Sequence, residues 1–126
     1  MQRATRRQVV DLEEHLFALS LDGAEVVLND RFRQTFNGGR VVATAGFMAL
    51  DEATRLRIFI AVQAFAAFDE GNDPWGEHDF GQVEVSNKKV YWKIDYYNPT
   101  LTAGSENPAN EGETHRVLTI MLPSEY

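Results

Sequence analysis

The chain contains no cysteine among its 126 residues. A disulfide, a thiolate nucleophile and a cysteine-ligated metal site are therefore excluded. The sequence also has no apolar run of the roughly 18 residues that a membrane span requires. Its N-terminus contains arginines but no apolar stretch after them, unlike a secretory signal. These absences together predict a cytoplasmic protein.

Positive charge is scarce in the second half of the chain. Residues 1–63 hold 8 basic and 8 acidic side chains, and residues 64–126 hold 4 basic and 11 acidic ones, so the formal net charge of −7 belongs to the second half. Phosphate binding needs clustered Lys and Arg, so direct nucleic-acid binding is not expected there. An acidic half can instead bind a basic protein surface, or it can serve solubility alone.

Two helical patterns open the chain. Apolar residues at helical spacing from Val9 onward predict an amphipathic helix over residues 1–20, with Arg3, Arg6 and Arg7 before these apolar positions and Asp22-Gly23 at its end. A second helix is predicted over residues 25–36. Its apolar side consists of Val27, Leu28, Phe32 and Phe36. The sequence Asn37-Gly38-Gly39 then predicts a turn, because Gly and Asn tolerate positive φ.

A strand and a helix are predicted next. Residues 41–46 are rich in β-forming side chains and predict the first strand. The longest helix is predicted over residues 52–68, with Asp51 as its N-cap. Apolar side chains surround much of this helix, so we expect it to lie across a sheet. The polar residues 69–74 should end it.

Residues 80–97 carry the strongest hairpin pattern. A two-residue turn at Asn87-Lys88 would pair Val85 with Val90 and Val83 with Trp92. One face of this hairpin is then a core face, with Val83, Val85, Val90, Trp92 and Ile94. The other face is polar and aromatic, with Gln82, Glu84, Tyr91, Lys93, Asp95 and Tyr97. A shift of one residue would bury Lys93 and Asp95, so the pattern specifies the two faces.

The last strand is predicted over residues 116–122, which are apolar on both faces as in a central strand. Before it, residues 98–114 form a loop rich in Pro, Gly, Asn and Glu. The predicted fold is a single α+β domain over residues 1–126. A long helix packs on a mostly antiparallel four-stranded sheet, with one or two N-terminal helices. The first of these, residues 1–22, can lie at the periphery.

From Leu28 to Tyr126 the chain resembles a family of small bacterial proteins known as domain of unknown function 3768. The resemblance is carried by five stretches: residues 29–33 (NDRFR), 39–42 (GRVV), 72–81 (NDPWGEHDFG), 92–97 (WKIDYY) and 117–122 (VLTIML). It implies a protein typical of plasmids and other mobile elements of proteobacteria. It implies no activity, cofactor or catalytic residue.

The densest polar cluster consists of Asp73, Glu77, His78 and Asp79. Imidazole and carboxylate groups can bind Zn, Mn or Fe, and such a site would need His115 or Asp95 from other strands. However, neighbouring side chains in an extended segment point to opposite sides, so we predict no metal and no cofactor. A His beside carboxylates can also act as a general base, which leaves open a small metal- or His/Asp-dependent enzyme centred on His78, Asp79 and Asp95.

The polar face of the hairpin allows three interpretations. It can be a solvated surface with an ion pair between Lys93 and Asp95, or a recognition surface, because exposed tyrosines are favoured at interfaces. A helix covering it would instead place the tyrosines in a core. The pattern alone does not choose among these.

The main functional hypothesis is a non-catalytic acidic module encoded by a mobile element. It would bind a basic, nucleic-acid-handling partner and block a host defence complex of the CRISPR or restriction type. The candidate contacts are Glu70, Asp73, Glu77, Asp79, Glu84, Tyr91, Asp95, Tyr97, Glu106, Glu111 and Glu113. An alternative is an accessory protein of plasmid maintenance, able to form a homodimer through the helix with Arg3, Arg6 and Arg7.

Overall fold

The computed structural model describes the backbone of residues 12–126 and the side chains of residues 24–126. Helix α1, Leu12–Thr35, has 24 residues and passes through Asp22-Gly23 without a break. The prediction that Asp22-Gly23 separates two helices is therefore wrong. A glycine inside a helix costs only about 1 kcal/mol, which the turns on both sides offset. Residues 1–11, with Arg3, Arg6 and Arg7, lie outside the described residues.

Helix α1 buries polar side chains. Glu25, Asn29 and Arg33 are at most 2% exposed, and Phe32 beside them is 1% exposed. Val27, predicted on the apolar side, is 59% exposed, so that part of the prediction is wrong. The three polar residues recur every fourth position and therefore share one helix face. This polar stripe (Glu25, Asn29 and Arg33) is directed into the fold.

Strand β1, Arg40–Ala43, follows a tight turn and is shorter than predicted. In that turn Gly38 has φ +107°, a value that favours glycine. A Cβ at Gly39 would lie 2.5 Å from the Arg116 carbonyl oxygen, so only glycine fits against this neighbour. The short helix α2, Ala45–Met48, replaces the predicted end of the strand and places Phe47 in the core.

Helix α3, Glu52–Ala64, begins where predicted. The Asp51 side chain accepts a hydrogen bond from the Thr54 backbone nitrogen at 3.2 Å, which confirms the N-cap. The helix ends at Ala64 rather than Phe68 and is shorter than α1, so its predicted length is wrong. Phe65 leaves helical geometry with ψ 131°, and its ring packs on Trp92 at 5.5 Å. This aromatic contact holds the chain in an extended path.

Four strands form one sheet in the order β1-β4-β3-β2. Strand β2 is Phe80–Val85, β3 is Lys88–Tyr97 and β4 is His115–Met121. Strands β1 and β4 are parallel, and the other two pairs are antiparallel. The prediction of an α+β fold with a mostly antiparallel sheet is confirmed, as is the central place of β4. Two 3₁₀ turns, Glu111–Glu113 and Pro123–Glu125, flank β4.

The hairpin between β2 and β3 turns one residue earlier than predicted. Ser86 and Asn87 both have positive φ, 52° and 64°, as a type I′ turn requires. Val83 therefore pairs with Val90, not with Trp92. The difference in register is two residues, and an even shift keeps every side chain on its predicted face. Val83, Val90, Trp92 and Ile94 are buried as expected.

The hydrophobic core lies between the helices and this face of the sheet. Phe32 of α1, Phe47 of α2, and Ile58 and Val62 of α3 pack against the buried side chains of β2, β3 and β4. Within the described residues, none of the helices combines the length and apolar character needed to cross a bilayer.

Candidate functional site

The acidic loop, residues 65–79, connects α3 to β2 and is shaped by its own side chains. Asp69 Oδ1 accepts hydrogen bonds from the backbone nitrogens of Gly71 and Asn72, at 2.8 and 3.0 Å. The Asp73 carboxylate accepts from the backbone nitrogens of Glu77, at 3.0 Å, and His78, at 3.2 Å. Asp and Asn favour such turns because their short side chains reach nearby backbone donors. The loop is therefore ordered by carboxylates.

Three of the predicted contact residues are inside the protein. Asp73 is 8% exposed, Glu77 is 1% exposed and Asp79 is 7% exposed. A buried carboxylate must be compensated by hydrogen bonds or charges, which ties these side chains to the fold. They are not available as surface contacts in this conformation.

His78 holds the acidic loop against α1. Its Nδ1 lies 2.9 Å from Asp30 Oδ1, and its Nε2 lies 3.7 Å from Asp73 Oδ2. The ring stacks on Phe68 with 3.8 Å between centroids and 2° between planes. Its backbone has φ +57°, a strained value for a residue with a side chain. One half-buried imidazole thus lies between two carboxylates.

A buried polar network joins α1, the acidic loop and the sheet. The Asn29 side-chain nitrogen donates to the Glu77 carbonyl oxygen at 2.9 Å and to the Tyr96 hydroxyl at 2.7 Å. Tyr96 donates in turn to Glu77 Oε1 at 3.3 Å. Arg116 Nε donates to Asn29 Oδ1 at 2.8 Å, and its Nη2 donates to the Pro108 carbonyl. Such networks fix the relative positions of the elements they join.

The buried surroundings of Tyr96 determine the pKa of its hydroxyl. Burial raises the pKa of its hydroxyl far above the ordinary value of 10.0, and the negative charges of Asp79, Glu25 and Glu77 raise it further. Tyr96 therefore remains a neutral phenol even at alkaline pH. Its guanidinium neighbour Arg116 lies over the ring, 5.2 Å from the centroid. These contacts give Tyr96 a structural role.

Arg33 occupies the other end of the polar stripe. Its Nη1 donates to Asp30 Oδ1 at 2.9 Å, and the guanidinium carbon lies 5.3 Å from the Phe68 centroid and 5.4 Å from the Trp92 centroid. A guanidinium between aromatic faces is stabilised by cation–π attraction. This arrangement explains how a charged side chain is accommodated at 2% exposure.

The sheet face opposite the described helices is open, and we call it the open sheet face. It carries Tyr91, Lys93, Asp95 and Tyr97, all partly exposed. Lys93 Nζ lies 3.0 Å from Asp95 Oδ2, which confirms the predicted ion pair. At one end, the rings of Phe80, Tyr91 and Tyr126 pack together with centroid distances of 5.3 to 5.6 Å. The described helices do not cover the tyrosines.

Two depressions flank Trp75, which is 42% exposed. The first has a volume of about 570 Å³ and includes Phe68, Glu70 and His78 in its wall. The second has a volume of about 350 Å³ and extends from the acidic loop to Phe80, Asp95 and Tyr126 on the open sheet face. Asp73, Pro74 and Trp75 belong to both walls. The loop thus forms a ridge between two open hollows.

The remaining predicted contacts are exposed. Glu70, Glu84 and Glu106 point to solvent. Glu111 forms an ion pair with Arg31 at 3.2 Å, and Glu113 accepts from Asn107 at 3.2 Å and Asn110 at 2.9 Å. These last two carboxylates belong to the loop before β4, away from the acidic loop in sequence. The predicted contacts do not form one patch.

The arrangement of side chains in residues 24–126 does not support the metal interpretation. In that range, no three His, Asp or Glu side chains converge in a way that could hold an ion. Asp95 and His115 lie on β3 and β4, where Asp95 pairs with Val117 and His115 with Tyr97. The carboxylates that contact His78 are Asp30 and Asp73, not Asp79 and Asp95.

Comparison with known proteins gives a family only. The model of the family described as "Protein of unknown function (DUF3768)" matches residues 43–125, more than half of the chain. No curated protein and no solved structure matches.

Proposed function

This chain belongs to the DUF3768 family, and we propose that it is a non-catalytic protein-binding module that binds the basic surface of a nucleic-acid-handling complex. We further propose that a mobile element encodes it, and that it acts in the cytoplasm against a host defence complex of the anti-CRISPR or anti-restriction type. The net charge of −7 makes a nucleic-acid ligand unfavourable and a basic protein favourable.

The observation that carries the proposal is the difference between the two sheet faces. One face is buried under the helices, whereas the other leaves Tyr91, Lys93, Asp95 and Tyr97 partly exposed. Tyrosine contributes large contact area with few rotatable bonds and is enriched where proteins bind each other. In a sheet with one face covered, polar side chains alone are enough on the other, solvated face. The tyrosines of the open sheet face are not required for this purpose, and they are therefore available for binding a partner.

The structure changes the set of contact residues in this proposal. Burial removes Asp73, Glu77 and Asp79 from the predicted surface. The side chains that remain are Glu70, Glu84, Tyr91, Asp95, Tyr97, Glu106, Glu111 and Glu113. Exposed carboxylates compete with phosphate groups for the same Lys and Arg side chains, and their charge accelerates the encounter. Binding should therefore weaken as salt increases.

An affinity capture from host lysate, carried out at about 50 and at about 500 mM salt, tests the proposal. Mass spectrometry identifies the captured proteins. We expect one nucleic-acid-processing complex at low salt and loss of it at high salt. The double variant Tyr91→Ser/Tyr97→Ser should abolish the capture. A matched control is Leu56→Ser/Ile60→Ser, which changes exposed residues of α3 on the helical side. Equal capture by both double variants would contradict a role for the open sheet face.

A second candidate, a small His/Asp-dependent enzyme, rests on one specific observation. His78 lies between the carboxylates of Asp30 and Asp73 and lines the larger depression. An imidazole oriented by a carboxylate can serve as a general base. Turnover of ester or phosphodiester substrates that His78→Gln abolishes, with folding retained, would favour this candidate. Zn, Mn and Fe analysis of untagged protein would test its metal-dependent form.

A further inference from the structure

The exposed tryptophan of the acidic loop marks a site on this protein that differs from the tyrosine row of the sheet. Trp75 is 42% exposed, whereas the other tryptophan, Trp92, is 0% exposed. The two depressions lie on either side of Trp75 and share Asp73 and Pro74. A large aromatic side chain between two hollows offers apolar surface to groups that enter either one.

The charge around Trp75 determines what can enter. The residues that line the first depression include Asp69, Glu70 and the buried Asp73, and the one basic group among them is His78, which already contacts Asp30. The residues that line the second include three acidic ones and one basic one. Asp73 and Asp79 are buried and act only through their charge, and Asp95 contacts the Lys93 amine at 3.0 Å. Both depressions therefore have an excess of negative charge.

Aromatic side chains complete both walls. Phe68 lines the first depression, and Phe80 and Tyr126 line the second. An aromatic face next to carboxylates attracts an alkylammonium or guanidinium group in two ways, through the ring quadrupole and through charge. A purely apolar side chain would contact the aromatic rings but gain nothing from the carboxylates, and an anionic side chain would gain neither attraction. The lining is thus complementary to Lys or Arg.

We propose that Trp75 divides a two-pocket site for a basic segment of the partner, with one Lys or Arg side chain in each depression and the backbone crossing Pro74-Trp75. This inference rests on the proposed function and specifies the chemistry of the partner. It also accounts for the acidic loop, whose carboxylates order the backbone as well as charge the two hollows.

The test is a titration of the full chain with hexa-arginine, hexa-glutamate and an uncharged Gly-Ser peptide, each in a separate experiment. Tryptophan fluorescence is recorded during each titration. Trp92 is buried, so an added peptide can contact Trp75 directly but not Trp92. We expect hexa-arginine alone to change the emission. Glu70→Lys should weaken binding about fivefold, as expected for one charge contact near the surface. Glu52→Lys changes the net charge equally at an exposed residue of α3 that lines neither depression and should have less than about a twofold effect.

Equal losses in Glu70→Lys and Glu52→Lys would overturn the inference, because net charge alone would then explain binding. Calorimetry on Trp75→Phe and Trp75→Ala supplies an independent readout, with circular dichroism to verify folding. We expect Trp75→Phe to retain binding and Trp75→Ala to lose it. If lysate capture persists in Glu70→Lys and Trp75→Ala, the two-pocket site is wrong while the proposed function stands. Peptide binding without any lysate capture would support the two-pocket site and contradict the proposed function.

Discussion

The Tyr96 hydroxyl accepts a hydrogen bond from the Asn29 side-chain nitrogen at 2.7 Å, and this contact links β3 to α1 across 67 positions of sequence. Both residues are buried, at 8% and 0% exposure. The same hydroxyl donates to Glu77 of the acidic loop. One phenol therefore connects three separate elements.

Replacing Tyr96 by Phe should lower the free energy of unfolding by about 1–3 kcal/mol, because Asn29 and Glu77 lose a buried partner. Urea denaturation followed by circular dichroism measures the change. Tyr97→Phe is the matched control, since it removes the neighbouring hydroxyl on the open sheet face and should change stability by less than about 0.5 kcal/mol. Similar losses in both variants would contradict the importance of the network.

The polar stripe of α1 leads to a second comparison. Asn29→Ala removes bonds to Tyr96, Glu77 and Arg116, so we expect a loss of about 1–3 kcal/mol. Val27→Ala removes an apolar side chain that is 59% exposed and should cost under about 0.5 kcal/mol. Urea denaturation of the two variants compares them directly. A larger loss of stability for Val27→Ala than for Asn29→Ala would contradict this orientation of α1, because the side with Val27 would then face the interior.

The hairpin turn gives a third prediction. Ser86→Asn/Asn87→Gly introduces the pair preferred in type I′ turns and should stabilise the protein by up to about 1 kcal/mol. Lys88→Gly places glycine in the first position of β3 and should destabilise it, because glycine weakens a strand. Thermal unfolding measures both changes. Stabilisation by Lys88→Gly would indicate that the turn lies at Asn87-Lys88 instead.

The hydrogen bonds of the Glu125 side chain, near the C-terminus, predict a pH dependence of stability. Hydrogen bonds from Thr44, Leu122 and Gly46 lower the pKa of Glu125 below its ordinary value of 4.5. A carboxyl group whose pKa is lower in the folded state stabilises the fold above its unfolded pKa, and this stabilisation is lost as pH falls through the folded pKa. Glu125→Gln should therefore lower the urea midpoint at pH 6 and have a smaller effect near pH 3. Equal effects at both pH values would contradict this coupling.

Much of the fold could be predicted from the sequence, because apolar periodicity reports which side chains face a core. The faces of β2 and β3 and the N-cap Asp51 follow from such local patterns. The alternation of apolar residues does not fix the turn at Ser86-Asn87, since several two-residue turns fit the same pattern. It does not fix the end of α3 either, because Phe65 continues the helical pattern but packs on Trp92 instead.

The interior of the candidate site could not be predicted in the same way. Glu25, Asn29 and Arg33 resemble a solvated helix face in the sequence. Their burial involves distant residues, as when Asn29 bonds to Tyr96 and Arg116 and Arg33 lies over the Trp92 ring. Their spacing of four residues is the one available signal, but a surface helix shows the same spacing. For the same reason, the acidic loop suggests surface carboxylates where the structure has buried ones.

The polar stripe of α1 also bears on the segment that the family model matches. That segment begins at residue 43, the last residue of β1, whereas Asn29 and Arg33 precede it and pack against it. The matched residues alone therefore lack side chains that fill their interior in this protein. We expect a chain starting at Ala43 to admit water to Glu77 and Arg116.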